Sequence, residues 1–430
     1  MSLVKPLIAA MSLAVFSQAA VAANITVDGD NKGNLDLMAK GMYVATGKDN
    51  GFDPNYGTAL YFKIKYTTPS WNGLTASAGY HTVGDMGLNN VTADDKVASG
   101  MYASPDQSMN GVLGDLSLKF KSEDVELFAG RMQYDSPLTT AAISTLPSFH
   151  QVIGAKFQVN PMLNFGVTQM SQMAFGARTF TEFGLIGEKT ITGGTAVSPM
   201  NQQAEFIKIA DTVNGGADNE NGLFMASLSY QPTKATQVNL WNYRADNITS
   251  TMYLDAGQKY KLANKTAVKI DAQYLKQTDI GDLGMDIDYQ MFGAKATYIA
   301  QGWKAYVAFN ESFGDTEMLN AWGGDPAYTS SMFSRNAYRE DVSAFKVGGM
   351  YKIAPKWSVM ASYANYGQSQ TSVGTLTPTT DACEGNMVVT WKQSKKAIYK
   401  LTYAKRSSEY DTMTTDRTQS HARLVGVWKF

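Results

Sequence analysis

Along most of the chain, apolar and polar residues alternate with a period of two. In Tyr61–Tyr66, the residues Phe62, Ile64 and Tyr66 fall on one side, and Lys63 and Lys65 on the other. Leu116, Leu118 and Phe120 alternate in the same way with Ser117, Lys119 and Lys121. Trp303, Ala305, Val307 and Phe309 do so with Lys304, Tyr306 and Asn310. Successive side chains of a strand point to opposite faces, so this period predicts strands with one apolar and one polar face. Eighteen such segments are predicted, from 35–46 through 384–393 and 396–406 to 419–430.

The connections add a second pattern. Tight turns are expected at Thr68–Gly73, Ser122–Glu123, Asn160–Pro161, Pro232–Lys234, Gln301–Gly302, Ala354–Lys356 and Ser394–Lys395. Between them lie long connections at 83–109, 135–148, 173–221, 313–341, 367–383 and 407–418. A soluble sandwich has no reason to gather its long loops at one end. A transmembrane barrel does, because one rim carries short periplasmic turns and the other carries external loops. The fold class this implies is all-β: a transmembrane antiparallel β-barrel of 18 strands, with long external loops partly folded into the lumen. An even strand number also returns both termini to the periplasmic rim.

The two ends of the chain fit an exported barrel. Lys5 supplies a positive start, Pro6 to Phe16 an apolar run, and Ser17 to Ala23 small residues for cleavage. Residues 1–23 therefore read as a secretory signal peptide and 24–430 as a single barrel domain. No other apolar run reaches the roughly 18 residues of a membrane helix. At the far end Phe430, Trp428, Gly426, Leu424 and Ala422 share one face, while Arg423 and Lys429 share the other. A terminal aromatic on an alternating strand is the feature that outer-membrane barrels present to their assembly machinery, which makes that machinery an expected partner through Phe430. Trp71, Trp303, Trp357, Tyr66 and Tyr351 flank short turns, as an aromatic girdle at the lipid headgroups requires. The expected surroundings are outer-membrane lipid and lipopolysaccharide.

Composition narrows the function. The 430 residues carry 37 basic and 38 acidic side chains, and losing Lys5 leaves 36 against 38. So even a balance excludes a nucleic-acid binder, which needs a basic excess. Cys383 is the single cysteine, which rules out an intramolecular disulfide and a cysteine-based zinc site. The three histidines, His81, His150 and His421, sit in no nucleophile motif, and no Gly-x-Ser-x-Gly elbow is present. Neither catalysis nor a cofactor is expected. Carboxylates crowd the external segments, at Asp85, Asp94, Asp95 and Asp106, and at Glu182, Glu188, Glu205, Asp211, Asp218 and Glu220. They could take Ca²⁺ through oxygen ligands, although no calcium-loop motif is present.

Wall charge is the clearest functional feature. If the apolar face meets lipid, the other face lines the lumen. By parity that face is rich in lysine, with Lys63, Lys119, Lys269, Lys346 and Lys400 as the candidates for a mid-wall basic ladder. The loops show the opposite bias. An acidic mouth over a basic wall suits solutes that bear a carboxylate or both charges, since charge rings set selectivity in water-filled pores. The reading is an outer-membrane porin for small hydrophilic solutes and ions. An adhesin or receptor barrel acting through its loops is the alternative. Association as a homotrimer is left open.

Two segments resemble known families. Gly130-Arg131-Met132-Gln133-Tyr134-Asp135-Ser136-Pro137, followed by Ser144-Thr145-Leu146-Pro147-Ser148-Phe149, resembles the third-loop region of OprD-type specific porins. Thr145 stands where those families carry a basic residue before Leu-Pro. The run from Trp322 to Arg339 is similar to an external loop of the Campylobacter-type major outer-membrane porins, a branch of the same superfamily. The resemblance implies third and seventh loops that narrow the channel, and basic side chains that guide carboxylates. It would place Arg131, Asp135, Ser136, Leu146, Pro147 and Phe149 in the third-loop constriction, and Asp325, Ser330 and Arg335 in the seventh. Independently, segment 135–148 carries Leu138, Ile143 and Leu146, too apolar for a loop in water. It is expected to fold against the inner wall.

Overall fold

The computed structural model describes residues 33–47, 55–89, 101, 107–140, 145–177, 204–212, 219–281, 286–319, 322–369, 379–410 and 417–430. Residues 1–23, the expected signal peptide, lie outside the described residues. So do Ile143 and the loop carboxylates Asp94, Asp95, Asp106, Glu182, Glu188 and Asp218.

Among the described residues one antiparallel sheet carries nineteen strands. The first quarter holds β1 (Asn34–Thr46), β2 (Asn55–Thr67), β3 (Leu74–Gly84), β4 (Asn110–Lys121) and β5 (Val125–Met132). Next come β6 (Phe149–Asn160), β7 (Leu163–Ala174), the two-residue β8 (Ile207–Lys208), β9 (Leu223–Thr233) and β10 (Thr236–Ala245). They are followed by β11 (Thr249–Lys261), β12 (Ala267–Asp279), β13 (Asp288–Ala300), β14 (Trp303–Phe313) and β15 (Ser343–Ala354). The last four are β16 (Trp357–Tyr366), β17 (Thr379–Lys392), β18 (Ala397–Tyr410) and β19 (Arg417–Lys429). β1 pairs with β2 on one edge and β19 on the other, so the sheet closes. β8 only extends the top of β7, which itself pairs with β9, so the barrel wall has 18 strands. Closure leaves no edge in the bilayer, where an unpaired backbone group has no water to bond.

The period-two pattern sorts side chains as expected. Ile64, Leu118, Ile153 and Val307 are exposed on the outer face, and their strand neighbours point inward. The aromatics flanking the short turns, Tyr66, Trp71, Trp303, Tyr351 and Trp357, are exposed there too. Trp357 stacks on Trp391 at 5.4 Å, and Trp391 on Tyr399 at 5.0 Å, across three adjacent strands. The β2–β3 turn shows why this rim is tight. Asn72 and Gly73 both hold positive φ (49° and 88°), the two-residue hairpin geometry that matches strand twist. For that reason β3 begins at Leu74, directly after the turn expected at Thr68–Gly73. In the other direction β17 and β18 run four to five residues past their predicted external ends, to Thr379 and Tyr410. Their polar residues there pair in the ladder above the apolar band.

The interior is filled on both sides. One cluster joins inward residues of β5 to β13, among them Phe128, Tyr243, Leu275 and Met291, with Leu138, Met318 and Trp322 of the loops. A second joins Met42, Tyr61, Val83 and Val112 of β1–β4 with Leu146 and Phe149.

Candidate functional site

Loop L3 (133–148) leaves β5 and turns into the lumen. Tyr134 is buried, with its hydroxyl 2.9 Å from Thr168 Oγ1 on β7. A short turn follows: the Thr139 hydroxyl donates to Tyr134 O at 2.9 Å, and the Thr139 and Thr140 N–H groups both reach Ser136 O. Leu138 then packs on the β10–β13 wall. The descending limb packs on the other wall, where Thr145 sits against Met42 and Leu146 is fully buried. The Phe149 ring lies over Gly114, where a Cβ would stand 2.5 Å from it. The described parts of L3 thus pack on both walls. Leu138 and Leu146 are buried inside, as their apolar character predicts.

Loop L7 (314–342) comes from the other side and is tied to five strands. Leu319 N–H donates to Gln277 on β12 at 2.6 Å, and Thr329 N–H to Asn310 on β14 at 3.0 Å. The Lys346 ammonium on β15 donates to Ser330 O at 2.6 Å, and the Tyr366 hydroxyl on β16 to Thr329 O at 2.6 Å. Glu384 on β17 is fully buried, and its carboxylate accepts the N–H groups of Met332 (2.8 Å), Phe333 (3.0 Å) and Ser334 (2.7 Å). Several aligned N–H donors are what make a buried carboxylate tolerable. The two loops meet where Gly324 N–H donates to Leu138 O at 2.9 Å. A Cβ at Gly324 would stand 2.3 Å from Pro137 O, so glycine is required for this approach. L3 and L7 thus meet inside the barrel.

The pattern of the OprD family of outer-membrane porins matches residues 153–372. The chain belongs to the OprD family. No curated protein matches it by sequence. Solved structures agree on the fold. Pseudomonas aeruginosa OpdK, solved with vanillate, superposes with a TM-score of 0.72 at 14% identity, over 92% of this chain and 98% of that one. Pseudomonas aeruginosa OccK9 (OpdG) gives 0.73 at 14% identity, over 93% and 98%. Acinetobacter baumannii OccAB4 gives 0.71 at 14%, over 94% and 100%. Members of this family are channels of the outer membrane and not enzymes.

Within this porin the expected site residues separate. Asp325, Ser330 and Arg335 come together: the Ser330 hydroxyl donates to Asp325 at 2.5 Å, and the Arg335 guanidinium lies 3.6 Å from the same carboxylate. The side chains of Asp325 and Arg335 are 1% and 9% exposed, so this is a clamp inside L7. Ser136 is buried in the L3 turn, 2.8 Å from the Thr139 hydroxyl. Asp135 beside it is exposed. Leu146 and Phe149 share one apolar cluster, with half-buried Pro147 between them. Arg131 pairs in register with the outward-facing Leu116, while its neighbour Met132 is buried inside. Its guanidinium reaches 4.2 Å over the Phe206 ring, which packs against the cluster holding Leu146 and Phe149. The family motif gives spacing, whereas register decides the face.

The five lysines of the expected basic ladder are spread over β2, β4, β12, β15 and β18. Lys63, Lys119 and Lys400 fall on one side of the barrel, on β2, β4 and β18. Lys119 and Lys400 lie near the short-turn rim, below mid-wall. Lys269 is near that rim on β12, ion-paired with Asp271 at 2.5 Å, and Lys346 sits under L7 on β15. The side holding the first three also carries Lys65, which the same alternation places inward with Lys63, and Lys40, which the parity reading passed over. Lys40 lies 4.7 Å over the Tyr61 ring, and Lys65 bonds Asp115 at 2.6 Å. Lys63 bonds Asp36. Glu384 was missed as well: it stands in a predicted strand, but nothing local reveals that a loop 50 residues earlier docks on it.

Proposed function

We propose that this OprD-family porin favours small carboxylates, aromatic ones among them. The observation that carries the reading is the side of the lumen made by β18, β19, β1, β2 and β4. It presents Lys40, Lys63, Lys65, Lys119 and Lys400, and its carboxylates Asp36 and Asp115 are each engaged by a lysine. A carboxylate entering past L3 and L7 meets one ammonium after another down to the periplasmic rim. Lys119 and Lys400 stand exposed in the lumen, where binding stays weak enough for release. That OpdK was solved with vanillate, an aromatic carboxylate, fits the same solute class.

Single-channel recording tests this. Under a salt gradient the reversal potential should carry the sign of anion preference. The double variant Lys40→Met, Lys400→Met should lower the permeability of benzoate relative to glucose severalfold, with the barrel still conducting. An unchanged ratio rejects the carboxylate preference and leaves a general diffusion pore.

A further inference from the structure

L3 has two feet in the barrel wall, and a histidine stands at each. His150 is buried at the start of β6. Its Nδ1 accepts the Tyr134 N–H at 3.1 Å, fixing the residue where L3 leaves β5. His81 is fully buried on β3, and the Phe149 ring packs on it with 4.4 Å between centroids, fixing the residue where L3 returns. We infer that His81 and His150 are positioning residues that seat the two feet of L3 and so set the width of the channel, and that the His150 foot is released by acid.

The chemistry of the two seats differs. At His150 the accepting nitrogen has no proton, so in the neutral ring the proton is on Nε2. A second proton has to go onto Nδ1, the atom that holds Tyr134. Charging this ring therefore removes the bond and sets two N–H groups against each other. His150 sits among the apolar Met132, Val152 and Met173, and Nε2 has no hydrogen-bond partner among the described residues. The titratable group beside it is the Tyr134 phenol, which burial pushes up, so it stays neutral through the acid range.

His81 behaves otherwise. Its Nε2 stands 2.8 Å from the Asp115 carboxylate and its Nδ1 2.7 Å from the Tyr61 hydroxyl. The charged groups around it are Asp115 on β4, Lys65 bound to Asp115, and Lys63 directly across on β2. With Nε2–H donating to Asp115, Nδ1 accepts from Tyr61 when neutral. When charged it donates to the same hydroxyl, which turns over to accept. Both contacts survive protonation. Acid thus acts at one foot of L3 and spares the other.

The test is single-channel recording of the refolded barrel from about pH 8 to about pH 3, far enough into acid to charge an imidazole among apolar side chains. Wild type should be quiet at the upper end and show severalfold more open-channel noise and larger openings at the lower. His150→Gln offers a side-chain oxygen to Tyr134 and has no proton to gain, so it should stay quiet throughout. His150→Leu should be noisy at every pH. His81→Phe should loosen L3 at every pH yet keep the acid response. Hydrogen–deuterium exchange of the Tyr134 segment in wild type and His150→Gln gives a second readout that needs no destabilised variant. After correction for intrinsic rates, exchange should quicken in acid only in wild type. An acid response retained in His150→Gln by either measurement overturns the proposal, as does a quiet His150→Leu channel at neutral pH.

Discussion

At the scale of single residues, Glu384 shows how much one side chain can hold. Its carboxylate gathers three consecutive N–H groups of L7. Glu384→Leu leaves those donors buried without an acceptor, at about 1–3 kcal/mol for each group left unmade. The variant should unfold at lower urea, and its channel should flicker as L7 lifts. Identical unfolding midpoints would show that L7 is held by its other ties. Glu384→Gln retains one accepting oxygen and should fall between the two. What the sequence could reveal at this scale was uneven. Parity placed Lys63 and Lys400 inward, because period two needs only neighbours along the strand. It could not place Arg131, whose face depends on which residue of β4 stands opposite. Nor could it find the Glu384 seat, which joins segments 50 residues apart.

At the scale of elements, L3 is the informative case. Its apolar residues announced that it could not remain in water, and the structure buries Leu138 and Leu146 on opposite walls. Leu146→Ser should cost about 2–4 kcal/mol of loop packing, given the loss of a fully buried aliphatic side chain. It should broaden the distribution of single-channel conductances, and a distribution as narrow as wild type would rule out L3 as a packed wedge. Gly114 gives a complementary check. Any side chain there collides with the Phe149 ring, so Gly114→Val should shift L3 without altering its sequence. Conductance should change while the strand content seen by circular dichroism does not. The strand set itself was almost wholly legible, since alternation and Asn-Gly turns are local signals. Loop docking was legible only as a tendency, because composition says that a surface must be buried but does not say where.

At the scale of the molecule, the lumen divides by charge and by obstruction. L3 and L7 meet near one height, and the lysines descend below them on one side toward the periplasmic rim. Raising salt should therefore weaken carboxylate preference, because exposed lysines are screened over roughly 8–10 Å at ordinary ionic strength. The contrast between benzoate and glucose permeability should shrink between about 0.1 M and about 1 M salt, where the screening length falls to about 3 Å. A contrast that survives high salt would mean that pore shape, and not wall charge, selects the solute.

The pairing of β1 with β19 carries a consequence for how the barrel comes into being. Phe430 N–H donates to Leu37 O at 3.0 Å, joining the first described strand to the end of the last. Every other seam of the wall joins strands that follow one another in the chain, apart from the two-residue β8 between β7 and β9. β1 alone must wait, one side bare, until nearly four hundred residues have followed. For that interval its open backbone is a template for any passing strand. So long-range a contact also forms slowly. Variants that weaken this seam should show their defect as a delay, with open sheets lingering and clumping before they seal, even where the finished barrel is as durable as the original.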